Sequence, residues 1–107
     1  MQNFTDNDWK LFRNKIGDWQ EKYMGTLIKE YTAILNGTGE PSEKFWALDK
    51  RIREDKKSSG VQIRLAKSEM IANIVSFINE GVICMDDLED FSDELLETVA
   101  FICANRI

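Results

Sequence analysis

Four carboxylates near the C-terminus, Asp87, Asp90, Glu94 and Glu97, recur at steps of three, four and three. On a continuous helix that spacing gathers them into one stripe, apart from the apolar positions Leu88, Phe91 and Leu95. Paired carboxylates can serve as general acid and base in glycoside or phosphoester hydrolysis, or can hold a divalent cation weakly. Here they stand among Asp86, Glu89 and Asp93 on a strongly charged, hydrated face, which is no setting for an acid–base pair. The chain has no histidine, so it lacks the usual base near neutral pH and the commonest metal ligand. Ser-His-Asp and Cys-His nucleophile pairs are excluded for the same reason. Asp86-Asp87-Leu88-Glu89-Asp90 has neither the glycine nor the ligand spacing of a calcium loop. No glycine-rich phosphate loop or C-x-x-C pair is present. The expectation is a chain without catalytic residues, cofactor or metal.

A row of like charges at helical spacing repels itself and needs an opposite charge nearby. Water and salt could supply it, as could a basic segment of this chain or of a twin. A third source is a basic groove on another protein. In that case the row would stand in for nucleic-acid phosphates, and the chain would act as an inhibitor of the phage or anti-defence type.

The basic counterpart runs from Lys50 to Lys67, where Lys50, Arg51, Arg53, Lys56, Lys57, Arg64 and Lys67 face only Glu54 and Asp55. From Glu80 onward eight acidic residues face only Arg106. Lysine and arginine contacts to phosphate give most non-specific nucleic-acid affinity. The whole chain nevertheless carries a net charge of -5, which slows its encounter with a polyanion. Nucleic acid is therefore a disfavoured partner, and the Lys50–Lys67 segment a weak binder at most.

The elements that must position these groups read as helices. Trp9, Phe12, Ile16, Trp19, Tyr23 and Leu27 recur at steps of three or four, which predicts one amphipathic helix from Thr5 to Asn36. Thr5 and Asp8 make a capping box at its start, and Gly37 offers a left-handed residue to close it. Gly17 and Gly25 each cost about 1 kcal/mol in a helix interior. The apolar stripe passes Gly17 in phase, so the helix is expected to be continuous, with a break at Gly17 as the alternative. Phe4 can pack back on it as a staple.

After the loop Gly37–Pro41, Ser42 is expected to cap a second helix reaching Lys57, with Phe45, Leu48 and Ile52 buried and Trp46 beside them. A third helix is expected within Val61–Glu80, its start either at Val61 or after Ser68, stopped by Gly81. Val82–Met85 reads as a buried connector. Asp86–Phe91 reads as a separate turn, followed by a last helix capped by Ser92 and running to Arg106. The fold expected is all-α, a small bundle of four to five helices with a long N-terminal helix, in one domain over residues 1–107.

No segment reaches the apolar length of a membrane span, and no signal peptide is visible. Cys84 and Cys103 are expected as reduced, packed thiols in the cytoplasm. Large aromatics at helical spacing make core first, but Trp9, Trp19, Tyr23 and Trp46 are also the residue types that anchor protein contacts. Together these features point to a non-catalytic protein-binding module. It is expected to self-associate, with a homodimer as one possible state, and to regulate or inhibit another protein.

Overall fold

The computed structural model describes residues 3–105 of the 107. It is a small all-helical bundle of four α-helices, the first of them long. Helix α1 covers Asp6–Asn36, α2 Pro41–Asp55, α3 Met70–Asn79 and α4 Asp93–Ala104. Single 3₁₀ turns at Lys67–Glu69 and Met85–Leu88 introduce α3 and precede α4.

Helix α1 is continuous through Gly17 and Gly25. Both glycines are exposed, and a Cβ at either would meet nothing within 4 Å. Neither marks a close approach of another backbone, so each is only a local loss of helix propensity. Gly17→Ala and Gly25→Ala should each raise stability by about 0.5–1 kcal/mol, read as a higher urea midpoint at unchanged slope.

The capping box at Thr5 forms as the sequence predicts. The Asp8 amide donates to Thr5 Oγ1 at 3.1 Å, and Asp8 Oδ2 accepts from the Thr5 amide at 2.9 Å. The other end of α1 differs. Gly37 has φ -74°, so it closes the helix in extended rather than left-handed backbone. The positive φ of the connection falls at Gly39, at 126°. Helix α2 starts earlier than the Ser42 cap would place it. Pro41 occupies the first turn with its φ already helical, Glu40 becomes the N-cap, and the Glu40 amide donates to Glu43 at 3.3 Å.

Of the two starts open for the third helix, the later one is observed. Residues 62–66 have no helical structure, Leu65 is exposed, and α3 begins at Met70 behind the 3₁₀ turn that contains Ser68. Gly81, at φ 76°, ends α3 with a double closure. Its amide donates to Ile78 O and that of Val82 to Phe77 O. Asp86 to Phe91 is indeed separate from α4, and Ser92 Oγ accepts from the Leu95 amide at 3.2 Å. Helix α4 ends at Ala104, and Arg106 lies outside the described residues.

The core is concentrated at one end of the molecule. Phe12 and Ile16 of α1 pack with Met70, Ile74 and Phe77 of α3, and with Leu88, Phe91, Leu95 and Val99. Phe4 packs on its edge, as a staple would. Phe12 stands at the centre, with ring centroids 6.0 Å from Trp9, 6.2 Å from Trp19 and 6.2 Å from Phe77. Beyond this head the distal half of α1 continues with α2 as a two-helix arm. The result is elongated, 55 Å in its longest dimension against 30 and 22 Å. A 31-residue helix rises about 46 Å, so α1 sets that length.

Candidate protein-binding surface

Helix α2 buries no residue. Phe45, expected inside, is 62% exposed, and Leu48 and Ile52 are half-buried. The reason is positional. The core helices α3 and α4 pack on the proximal half of α1, so among the described residues no further layer covers the arm. Along α1 the apolar stripe nonetheless continues past Leu27. Ile28 is 59% exposed, and Leu35, one heptad on, lies on the same side and is exposed too.

Phe45 and Trp46 stand together near the tip of the arm, edge to face with centroids 4.9 Å apart and both mostly exposed. Towards its base an apolar slot of about 200 Å³ opens between the helices, lined by Met24, Leu27, Ile28, Ile52 and Val61. Tyr31, Asp55 and Lys56 complete its wall. Phe45 precedes Ile52 by seven residues, which puts it on the side of α2 that faces the slot. The arm therefore presents one apolar face made from both helices.

A polar cluster locks the arm's two helices at mid-length. Arg51 pairs with Glu30 across the helices and with Asp55 at 3.0 Å along its own. Tyr31 Oη donates to Asp55 at 2.6 Å, and the Arg51 guanidinium lies 5.8 Å from the centre of the Tyr31 ring. Burial, together with the Asp55 carboxylate, pushes the Tyr31 hydroxyl up to about 12. Hydrogen bonds to Glu30 and Asp55 raise the Arg51 pKa. Neither group changes charge near neutral pH, so the clamp holds throughout that range.

The four aromatic anchors named from the sequence separate. Trp9 and Trp19 pack against the core, Trp19 edge-on to Phe77 at 6.0 Å and stacked with Phe91 at 6.3 Å. Tyr23 is half-buried over Gly60, where a Cβ would come within 2.7 Å of three ring atoms. Only Trp46 of the four is largely exposed, and Phe45 accompanies it. Sequence periodicity assigned Phe45 to the core. The missed signal was the arm's length: α1 outruns the ten to twelve residues of α3 and α4 by about 30 Å.

The carboxylate stripe does not form, because no continuous helix joins its members. Asp87 sits in the 3₁₀ turn and accepts from the Cys84 amide at 2.9 Å. Asp90 lies in the following loop, 3.5 Å from Lys15. Only Glu94 and Glu97 share α4, and both are exposed. The basic segment is partly spent within the arm. Arg51 is clamped as described and Arg53 pairs with Asp49 at 3.0 Å. Lys50, Lys56, Lys57 and Arg64 are exposed. Lys67 reaches Asp6 at 2.7 Å, and this hydrogen bond holds the Asp6 carboxyl below its ordinary value. Among the described residues, the ion pairs of the basic segment go to α1 and α2 and none to the acidic segment.

Of the two thiols expected to be packed, Cys103 is half-buried against the core. Cys84 is exposed, in a connector of which only Ile83 is fully buried. No helix among the described residues is long and apolar enough to cross a membrane. Compared with known protein families, curated proteins and solved structures, the chain matches none of them.

Proposed function

We propose that the chain is a non-catalytic, cytoplasmic protein-binding module that self-associates and acts as a regulator or inhibitor of another protein. One observation carries the reading: Phe45 and Trp46 touch each other and are both more than three-fifths exposed, and Phe45 stands on the side of α2 that faces an apolar slot in the two-helix arm. Leaving two aromatic side chains and Ile28 in water forgoes a few kcal/mol of burial. Exposed aromatics beside a groove are what anchors a protein contact. The absence of histidine supports the non-catalytic part. Two thiols that form no disulfide support a reducing compartment.

The test is photo-cross-linking in cells that carry the protein, with a benzophenone amino acid at Ile28 or Leu35 on the arm and at Asp18 on the head as control. Protein adducts should appear from the arm positions, and should fall about tenfold when Phe45→Ala and Trp46→Ala are added. Equal labelling from all three positions, or none from the arm, would overturn the reading.

A second reading, the nucleic-acid mimic, draws on Asp87, Asp90, Glu94 and Glu97, which remain exposed although they form no stripe. Under it, Asp90→Lys with Glu94→Lys abolishes target binding while the aromatic changes leave it intact. The weak nucleic-acid binder retains Lys50, Lys56, Lys57 and Arg64, and a gel shift at low salt tests it.

A further inference from the structure

The charge of this chain is divided between its two ends in a way that bears on what covers the arm. Residues 24–57 carry seven cations and six anions, and residues 58–107 three cations and nine anions. An acidic protein meeting its own kind is repelled by its net charge. Here the arm is close to neutral and the excess negative charge belongs to the head. Two copies can approach arm to arm at little electrostatic cost, provided their heads stay apart. An antiparallel arrangement does this, because it sets the heads at opposite ends.

The arm's two apolar features are also placed for such an exchange. At 1.5 Å per residue, Phe45 and Trp46 lie about 6–8 Å along α2 from the hairpin tip. Ile28 and Ile52, in the slot wall, lie about 12–17 Å from the same tip. When two arms about 20 Å long are laid side by side in opposite directions, the aromatic pair of each comes level with the slot of the other. A two-fold contact requires this reciprocity, residue i meeting j while j meets i. The fit in size is adequate, since a cavity of about 150 Å³ takes up benzene and the slot measures about 200 Å³. With Phe45, Trp46, Ile28 and Leu35 between about half and two-thirds exposed, the four offer about 400–500 Å² of the roughly 800 Å² per partner of a specific interface, and the polar surface of the arm around them has to supply the rest.

We infer that the arm of one copy is covered by the arm of a second, antiparallel, with Phe45 of each inserted in the other's slot and Trp46 closing over it. The product is a four-helix bundle built from two hairpins, with an acidic head at each end. This rests on the protein-binding reading and names the partner of that same surface.

The experiment uses the purified full chain. Size exclusion with light scattering across a concentration series should give a dimer. Phe45→Ala with Trp46→Ala should raise its dissociation constant at least about tenfold. Circular dichroism should stay unchanged, both side chains being exposed. Direction is read by disulfide trapping in a Cys84→Ser, Cys103→Ala background. A mixture of Ile28→Cys and Phe45→Cys chains should cross-link under mild oxidation, each mixed pair keeping one intact Phe45. A Leu35→Cys chain should not cross-link to itself. Strong Leu35→Cys trapping without the mixed product would mean tip-to-tip, parallel arms and would overturn the arrangement. A chain that stays monomeric at every concentration, while its arm still cross-links to other proteins in cells, overturns the pairing and self-association and leaves the binding of another protein standing. An arm that cross-links to nothing in cells overturns both.

Discussion

Asp8→Ala should cost about 3 kcal/mol of folding stability, the largest effect expected from any polar side chain in this molecule. The Asp8 side chain is 1% exposed and joins two helix starts. Its carboxylate accepts from the Thr5 amide in the box that opens α1. It also accepts from the Ser92 amide at 2.8 Å and the Ser92 hydroxyl at 2.6 Å, and Ser92 in turn caps α4. Removing the carboxylate strands those donors in the interior and loosens both caps together, so the loss exceeds that of a single cap. Burial pulls the Asp8 pKa upward, but the hydrogen bonds from Ser92 and Thr5 outweigh it and hold the carboxyl below its ordinary 3.8. A depressed folded-state value means the stabilisation is complete above the unfolded value and fades as pH falls through the folded one. The gap between wild type and Asp8→Ala should therefore be constant near neutrality and narrow below about pH 4. Chemical denaturation at several pH values measures it. A gap of under about 1 kcal/mol at neutral pH, or one that widens in acid, would show the bridge to be weak.

Phe12→Ala should cost about 4 kcal/mol, while the same change at Phe45 should stay within about 0.5 kcal/mol for the isolated monomer. Both are phenylalanines on amphipathic helices at regular apolar spacing, and the sequence offers nothing to separate them. Phe12 is fully buried among Trp9, Trp19 and Phe77, so truncation leaves a cavity that rigid neighbouring rings cannot fill. Phe45 is 62% exposed and has little to lose. The comparison needs urea denaturation at a concentration where any association has been diluted away. If Phe45→Ala destabilised the monomer by 2 kcal/mol or more, the arm would be packed more tightly than the structure describes. Comparable losses at the two positions would remove the distinction between head and arm.

The parts of the fold that depend on near neighbours were legible in the residues. The capping box at Thr5, the Ser92 cap, the stop at Gly81 and the unbroken run of α1 all follow from groups within four or five positions of one another. The local misreadings, Gly37 and Ser42, arose where a neighbour one or two residues away offered the better geometry. Gly39 took the positive φ and Pro41 started α2 early. The all-helical class was equally plain, because apolar spacing of three and four admits no other regular structure.

Which apolar faces would be covered was a different kind of question. A stripe shows that a helix has something to bury, but its partner's reach is fixed by how distant elements stack. Trp9 and Trp19 went to the core because α3 and α4 lie against the first half of α1. Phe45 and Trp46 stayed outside because, among the described residues, no third element extends along the arm that α2 makes with the second half of α1. The same reason dissolved the carboxylate row, since Asp87 and Glu97 share a face only if one helix connects them, and the turn that seats Leu88 in the core breaks it. Local hydrogen bonding and periodicity set where helices begin, end and turn their apolar sides. Packing at long range, which no short window of residues encodes, chose which of those sides remain in water.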